Sequence, residues 1–143
     1  PEDHGKALSA KLVAAKAGYF RAQLDVGNFY AREGNFPEAT KWWILAAEQA
    51  DAQSLVNLSE VYRLGQGVQK NPTKALELTL KASRVVPPDA RTQLQSRVAS
   101  LRGEATPEQV AQAEKAAVAW KPRSTQLTDR ADLGIEEARK LVQ

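Results

Sequence analysis

The chain has 143 residues, 43% hydrophobic and 26% charged, the composition of a folded domain with its own core and not of a disordered tail. Twenty basic and seventeen acidic side chains leave a formal charge of +3 without a basic stripe, so no nucleic-acid footprint is expected. The absence of cysteine excludes disulfides, thiolate zinc sites and cysteine nucleophiles, and the longest apolar run, residues 42–47, is far short of the ~20 residues a bilayer span takes.

In chain order the pattern is helical throughout. Pro1, Glu2 and Asp3 suit a helix start, with acidic side chains at the positive end of the helix dipole. Ala7, Leu8, Leu12, Val13 and Ala15 form the stripe of a first helix, and Gly18 sits where it should stop. A second helix is predicted over 21–33, carrying Leu24, Val26, Gly27, Phe29 and Tyr30, followed by a Gly34-Asn35 turn. Pro37 opens a third helix to about residue 50, and a fourth covers 52–64 until Gly65-Gln66-Gly67 breaks it. Asn71 as N-cap and Pro72 as first helical residue place a fifth helix over 72–85. Pro87-Pro88-Asp89 separates it from a sixth over 89–102, ended by Gly103. Thr106, Pro107 and Gln109 read as a capping box for a seventh helix to about Trp120, with Val110, Ala113 and Ala117 on one side. Lys121-Pro122 terminates it. A linker over 123–128 and a short amphipathic helix over 129–142 complete the chain, and no run alternates long enough for a strand.

One pattern is written twice, over 14–30 and 46–62: Ala14 pairs with Ala46, Ala15 with Ala47, Val26 with Leu58 and Tyr30 with Tyr62, each 32 residues apart. A period of roughly 20 to 50 residues marks a solenoid, whose units cannot bury their apolar faces alone. Gly27, Tyr30, Ala39, Trp43 and Ala46 fall in the spacing of the tetratricopeptide class. Gly65-Gln66-Gly67-Val68, Lys74-Ala75 and Ala82, with Trp42, Ala46 and Ala47 in the first unit, resemble its Sel1-like branch more closely. Ser59 and Ala50 stand where that pattern has glycine, and Glu33-Gly34-Asn35 shortens its double-glycine turn. The resemblance implies an all-α, right-handed solenoid of helix pairs over 1–84, capped by helices in 85–122 that include Leu101, with the linker and short helix over 123–143. In the same register Lys6-Ala7 matches Lys74-Ala75, so the first helix is the second half of a unit. With Pro1 first and no methionine, the chain is expected to be the C-terminal fragment of a longer array.

Catalytic signals are thin. His4 is the only histidine and reads as a helix-start surface residue. Gly65-Gln66-Gly67 lacks the third glycine and the preceding strand of a nucleotide loop, so it is a repeat turn. Glu136 and Glu137 are adjacent and diverge on a helix, which rules out a facing carboxylate pair. Trp43 is expected in the core; Trp42, at the adjacent helical position, points differently, and packing within the fold and contact with a partner both stay open for it. No catalytic, metal or cofactor residue is assigned. The resemblance implies instead that the first helix of each pair lines a concave groove. The candidate partner-binding residues are Arg21, Leu24, Asn28 and Arg32 from one unit, and Gln53, Val56, Glu60 and Arg63 from the next. Arginine and asparagine there can hold a backbone amide or a carboxylate by charge-assisted hydrogen bonds. The expected function is a non-catalytic scaffold or adaptor that binds a protein or peptide in a bacterial, exported or periplasmic assembly. Alternatives are an immunity-type inhibitor of a toxin enzyme and a peptidoglycan-binding envelope protein. A fallback contact surface is Trp42, or Ile135 and Leu141 in the last helix.

Overall fold

Local caps set the helix starts. Asn35 and Asn71 each accept the backbone N–H three residues on, from Glu38 at 3.3 Å and Lys74 at 3.0 Å, and Asp51 does the same for Ser54 at 2.8 Å. Thr106 and Gln109 form the reciprocal capping box. The computed structural model describes residues 2–126, 128–131 and 140. Its helices are α1 (Glu2–Lys16), α2 (Phe20–Arg32), α3 (Phe36–Glu48), α4 (Ala52–Leu64), α5 (Pro72–Val85), α6 (Pro88–Gly103) and α7 (Pro107–Ala119). Residues 128–131 are also helical, while most of the short helix expected over 129–142, with Ile135, Glu136, Glu137 and Leu141, lies outside the described residues. So does the side chain of His4.

α2 packs with α3 and α4 with α5 as two successive helix pairs; α1 lies on α2, α3 on α4, and α6 and α7 both pack on α5. The main core joins Ala39, Trp43 and Ala47 of α3, Leu55, Leu58 and Val61 of α4, and Leu78 and Ala82 of α5. Ala75, Leu76, Leu101 and Ala113 form a second cluster that seats α6 and α7 on the last repeat. Each buried leucine of these clusters stabilises by about 1.5–3 kcal/mol relative to exposure.

The repeat also dictates which residues fill the gap within each pair. Gly27 of α2 faces Trp43 of α3: a β-carbon at Gly27 would lie 2.5 Å from the indole Cδ1. One unit on, Ser59 takes the place of Gly27 and Thr79 the place of Trp43. Their hydroxyls are 2.6 Å apart, and Ser59 and Thr79 also reach the Ala75 carbonyl at 2.9 Å. A large residue against glycine in one pair thus becomes two small hydroxyl residues in the next. That is why Ser59 is tolerated in a glycine position.

Three expectations need correction. Ala7 and Val13 are not part of the buried α1 stripe: both are exposed, Val13 to 71%. α3 ends at Glu48, not near residue 50, because Ala50 adopts the left-handed conformation (φ +68°) that Gly18 (φ +102°) adopts 32 residues earlier. α6 continues through Gly103 and is capped by Glu104.

The stretch read as a linker is a bonded strap. Arg84 Nη1 donates to the carbonyls of Ala117 and Trp120, the latter at 3.0 Å, and the chain then runs back over the ends of the earlier helices. The Arg123 N–H donates to the Glu48 carbonyl at 2.7 Å, and Thr125 Oγ1 to the Gly18 carbonyl at 2.7 Å. Thr128 Oγ1 donates to Gln49 Oε1 at 2.7 Å. Gln49 Nε2 in turn reaches the Gly18 carbonyl and Gln23 Oε1, so both turns and the strap share one polar cluster.

Candidate functional site

Arg21, Leu24, Asn28 and Arg32 recur every three or four residues and so share one side of α2. Asn28 is the fixed point. Trp43 Nε1–H donates to its Oδ1 at 3.0 Å, and Asn57 Nδ2 donates to the same oxygen at 3.2 Å. An indole N–H can only donate, so the amide orientation of Asn28 is settled by chemistry. Its Nδ2 has no hydrogen-bond partner among the described residues. Gln53 Nε2 continues the ladder to Asn57 Oδ1 at 2.8 Å, which ties α2 to α4 through side-chain amides. Leu24 and Val56 are half-buried beside it, packed on the main core.

Glu60 lies one to two turns further along α4. Arg63 grips its carboxylate through Nε at 3.1 Å and Nη2 at 2.5 Å, and Arg97 of α6 approaches at 3.5 Å. The hydrogen bond from Arg63, helped by the charges of Arg63 and Arg97 against the opposing effect of partial burial, holds the Glu60 carboxyl below the usual carboxylate range. Glu60 is thus already held by two arginines of its own chain. Arg21 is exposed, its guanidinium 5.6 Å from the Phe20 ring, and Arg32 is exposed at the C-terminal end of α2.

The eight sequence-derived positions therefore do not converge on one point. Asn28 and Gln53 are joined through Asn57, and Glu60 and Arg63 form a separate ion pair. Arg21 and Arg32 stand eleven residues apart on α2, about 16 Å along the axis. Arg63 occupies the repeat position of Ala31, not of Arg32. Sequence reasoning missed Asn57 and Arg97. Asn57 sits four residues after Gln53 on the same helix side and was recoverable from spacing; Arg97 lies on α6, outside the repeat, where no register pointed to it.

No cluster of three or more His, Asp or Glu among the described residues is arranged to hold a metal ion, and no described helix is long and apolar enough to cross a membrane.

Successive helix pairs in one register, closed by two helices on the last pair, define an α-solenoid. Residues 21–51 and 52–84 each match the family model of the Sel1 repeat. The chain thus carries two tandem Sel1-like repeats. It is 34% identical over 80 residues to the rat protein DAP3-binding cell death enhancer 1, covering 54% of this chain and 16% of that one. It also superposes, with a TM-score of 0.73 and 26% identity, on c5321, a protective antigen of uropathogenic Escherichia coli strains displaying an SLR fold; that match covers 92% of this chain and 28% of the other. The chain thus spans less than a third of either relative's length. Sel1 repeats on this fold point to a protein–protein interaction module.

Proposed function

We propose that the α2/α4 face is a non-catalytic docking surface for an extended, acidic segment of a partner protein. The observation that carries this reading is the anchored Asn28 amide. Its oxygen is occupied by Trp43 and Asn57, so its Nδ2 is held in place to donate to a partner's backbone carbonyl. Arg21 and Arg32 flank it at a separation matching about five extended residues, and both can pair with carboxylates. Leu24 and Val56 provide apolar contact between them. The wider setting, an exported or periplasmic scaffold in a bacterial assembly, rests on the family resemblance.

Asn28→Asp tests the site without disturbing the fold. The carboxylate still accepts from Trp43 and Asn57, but the Nδ2 donor is gone and a negative charge faces an acidic ligand. Peptides selected against the full chain from a random display library are expected to be rich in Asp and Glu. Asn28→Asp and Arg32→Glu should each weaken them by roughly tenfold or more, with thermal melts close to wild type. Selected peptides without acidic residues, or unchanged affinity in both variants, would remove the site from this face.

A further inference from the structure

A second concave surface lies at the other end of the stack, where α6 and α7 diverge over α5. The cleft has a volume of about 590 Å³. Leu80, Ala117 and Val118 supply its apolar surface, and Arg84, Arg91, Arg102 and Glu114 its charges. Val118 is 77% exposed beside these charged side chains.

The arginines here are anchored but not neutralised. Arg84 donates through Nη1 to the carbonyls of Ala117 and Trp120, and Arg91 through Nε to the carbonyl of Ser83 at 2.9 Å. Carbonyl oxygens carry no formal charge, so both guanidinium groups keep theirs. Only Arg102 meets a carboxylate, Glu114 at 2.5 Å. Three positive charges thus face one negative. Each guanidinium has five N–H donors, most of them left over by these contacts. Because the carbonyls already restrain Arg84 and Arg91, a ligand loses less side-chain entropy in engaging them. The Arg102–Glu114 pair shows that a carboxylate is accommodated at this rim.

We propose that this cleft is a second docking site, for a protein segment that places a leucine-sized side chain between acidic residues. The apolar side chain covers Leu80 and Val118, while Asp or Glu on either side pairs with Arg84 and Arg91 in the two-pronged geometry that guanidinium and carboxylate share. A nucleic-acid backbone would match the charge but offers no aliphatic group to cover the leucine and valine. The site is separate from the α2/α4 face, so each stands or falls alone.

The test is a titration of the full chain with a short synthetic peptide of Leu and Glu at helical spacing, followed by methyl NMR. The Leu80 and Val118 methyl signals should shift with the peptide. Arg91→Glu and Val118→Gln, both at exposed positions, should each weaken binding about tenfold with unchanged circular dichroism. Asn28→Asp should leave this affinity as it is. The proposal is overturned if the Leu80 and Val118 signals do not move, or if a Leu/Lys peptide or an oligoglutamate without leucine binds equally well. Tighter binding of an RNA oligonucleotide at the same signals would likewise overturn it.

Discussion

Gly27→Ala probes the packing on which the first repeat depends. The added β-carbon would sit 2.5 Å from Trp43 Cδ1 and 2.6 Å from Nε1, well inside the roughly 3.5–4.0 Å at which carbon pairs rest. The ring has nowhere to go: Trp43 is 5% exposed and its Nε1–H is bound to Asn28 at 3.0 Å. Forcing a methyl into such a site costs about 2–3 kcal/mol, toward the upper end for overpacking. Replacing a mid-helix glycine by alanine returns about 1 kcal/mol of helix propensity. The net loss should be about 1–2 kcal/mol, or roughly 3–8 °C in Tm, read by urea denaturation with far-ultraviolet circular dichroism. In a Trp43→Leu background the indole edge is gone, so the same substitution should become neutral or favourable, a coupling of at least about 1 kcal/mol. A Gly27→Ala protein as stable as wild type, or one showing no coupling to Trp43, would refute the close-approach argument.

Ala50→Gly should stabilise by up to about 1 kcal/mol in the same assay, because the φ of +68° strains alanine more than ordering glycine costs. Thr128→Val keeps the shape of a 97% buried side chain but removes the hydroxyl that serves Gln49, Gly18 and the Phe20 N–H, and should cost about 1–3 kcal/mol. Glu60, whose carboxyl is depressed in the folded state, contributes stability that is present above its unfolded pKa of about 4.3 and lost as pH falls through the lower folded value. Glu60→Gln should therefore flatten the acid limb of stability against pH, and a limb of unchanged steepness would assign it to other carboxylates such as Glu77.

What was legible in the sequence was what local chemistry decides. The end of α4 and the start of α5 follow from Gly65, Asn71 and Pro72, whose capping or turn-forming roles act within a few residues. Trp43 was legible as core because the tetratricopeptide-like spacing of Gly27, Tyr30, Ala39, Trp43 and Ala46 fixed its side of the helix. Val13 was misread because apolar periodicity shows which side of α1 is greasy, not which neighbour covers it. Arg97 and Asn57 escaped because their roles depend on contacts across helices, to Glu60 and Asn28. The strap was the hardest to foresee. Its residues are polar, carry no period, and find their partners up to 110 positions away, as Thr128 does at Gly18.

That strap changes how the solenoid holds together. In an open repeat array each unit touches only its neighbours, so stability approaches a sum of nearest-neighbour terms and the ends can open separately. Here the segment leaving α7 is bonded to the end of α3 and to the turn between α1 and α2. Lifting α7 off α5 pulls directly on Glu48, Gln49 and Gly18, at the opposite side of the stack. Gln49 concentrates this coupling: its amide nitrogen serves Gly18 and Gln23, while its oxygen accepts from Thr125 and Thr128. Gln23 is itself only 3% exposed and sits on α2, whose other side carries Arg21, Asn28 and Arg32. The same polar cluster that closes the solenoid therefore also restrains the helix that presents the amide–arginine face, so a ligand there meets a surface that does not have to be ordered first.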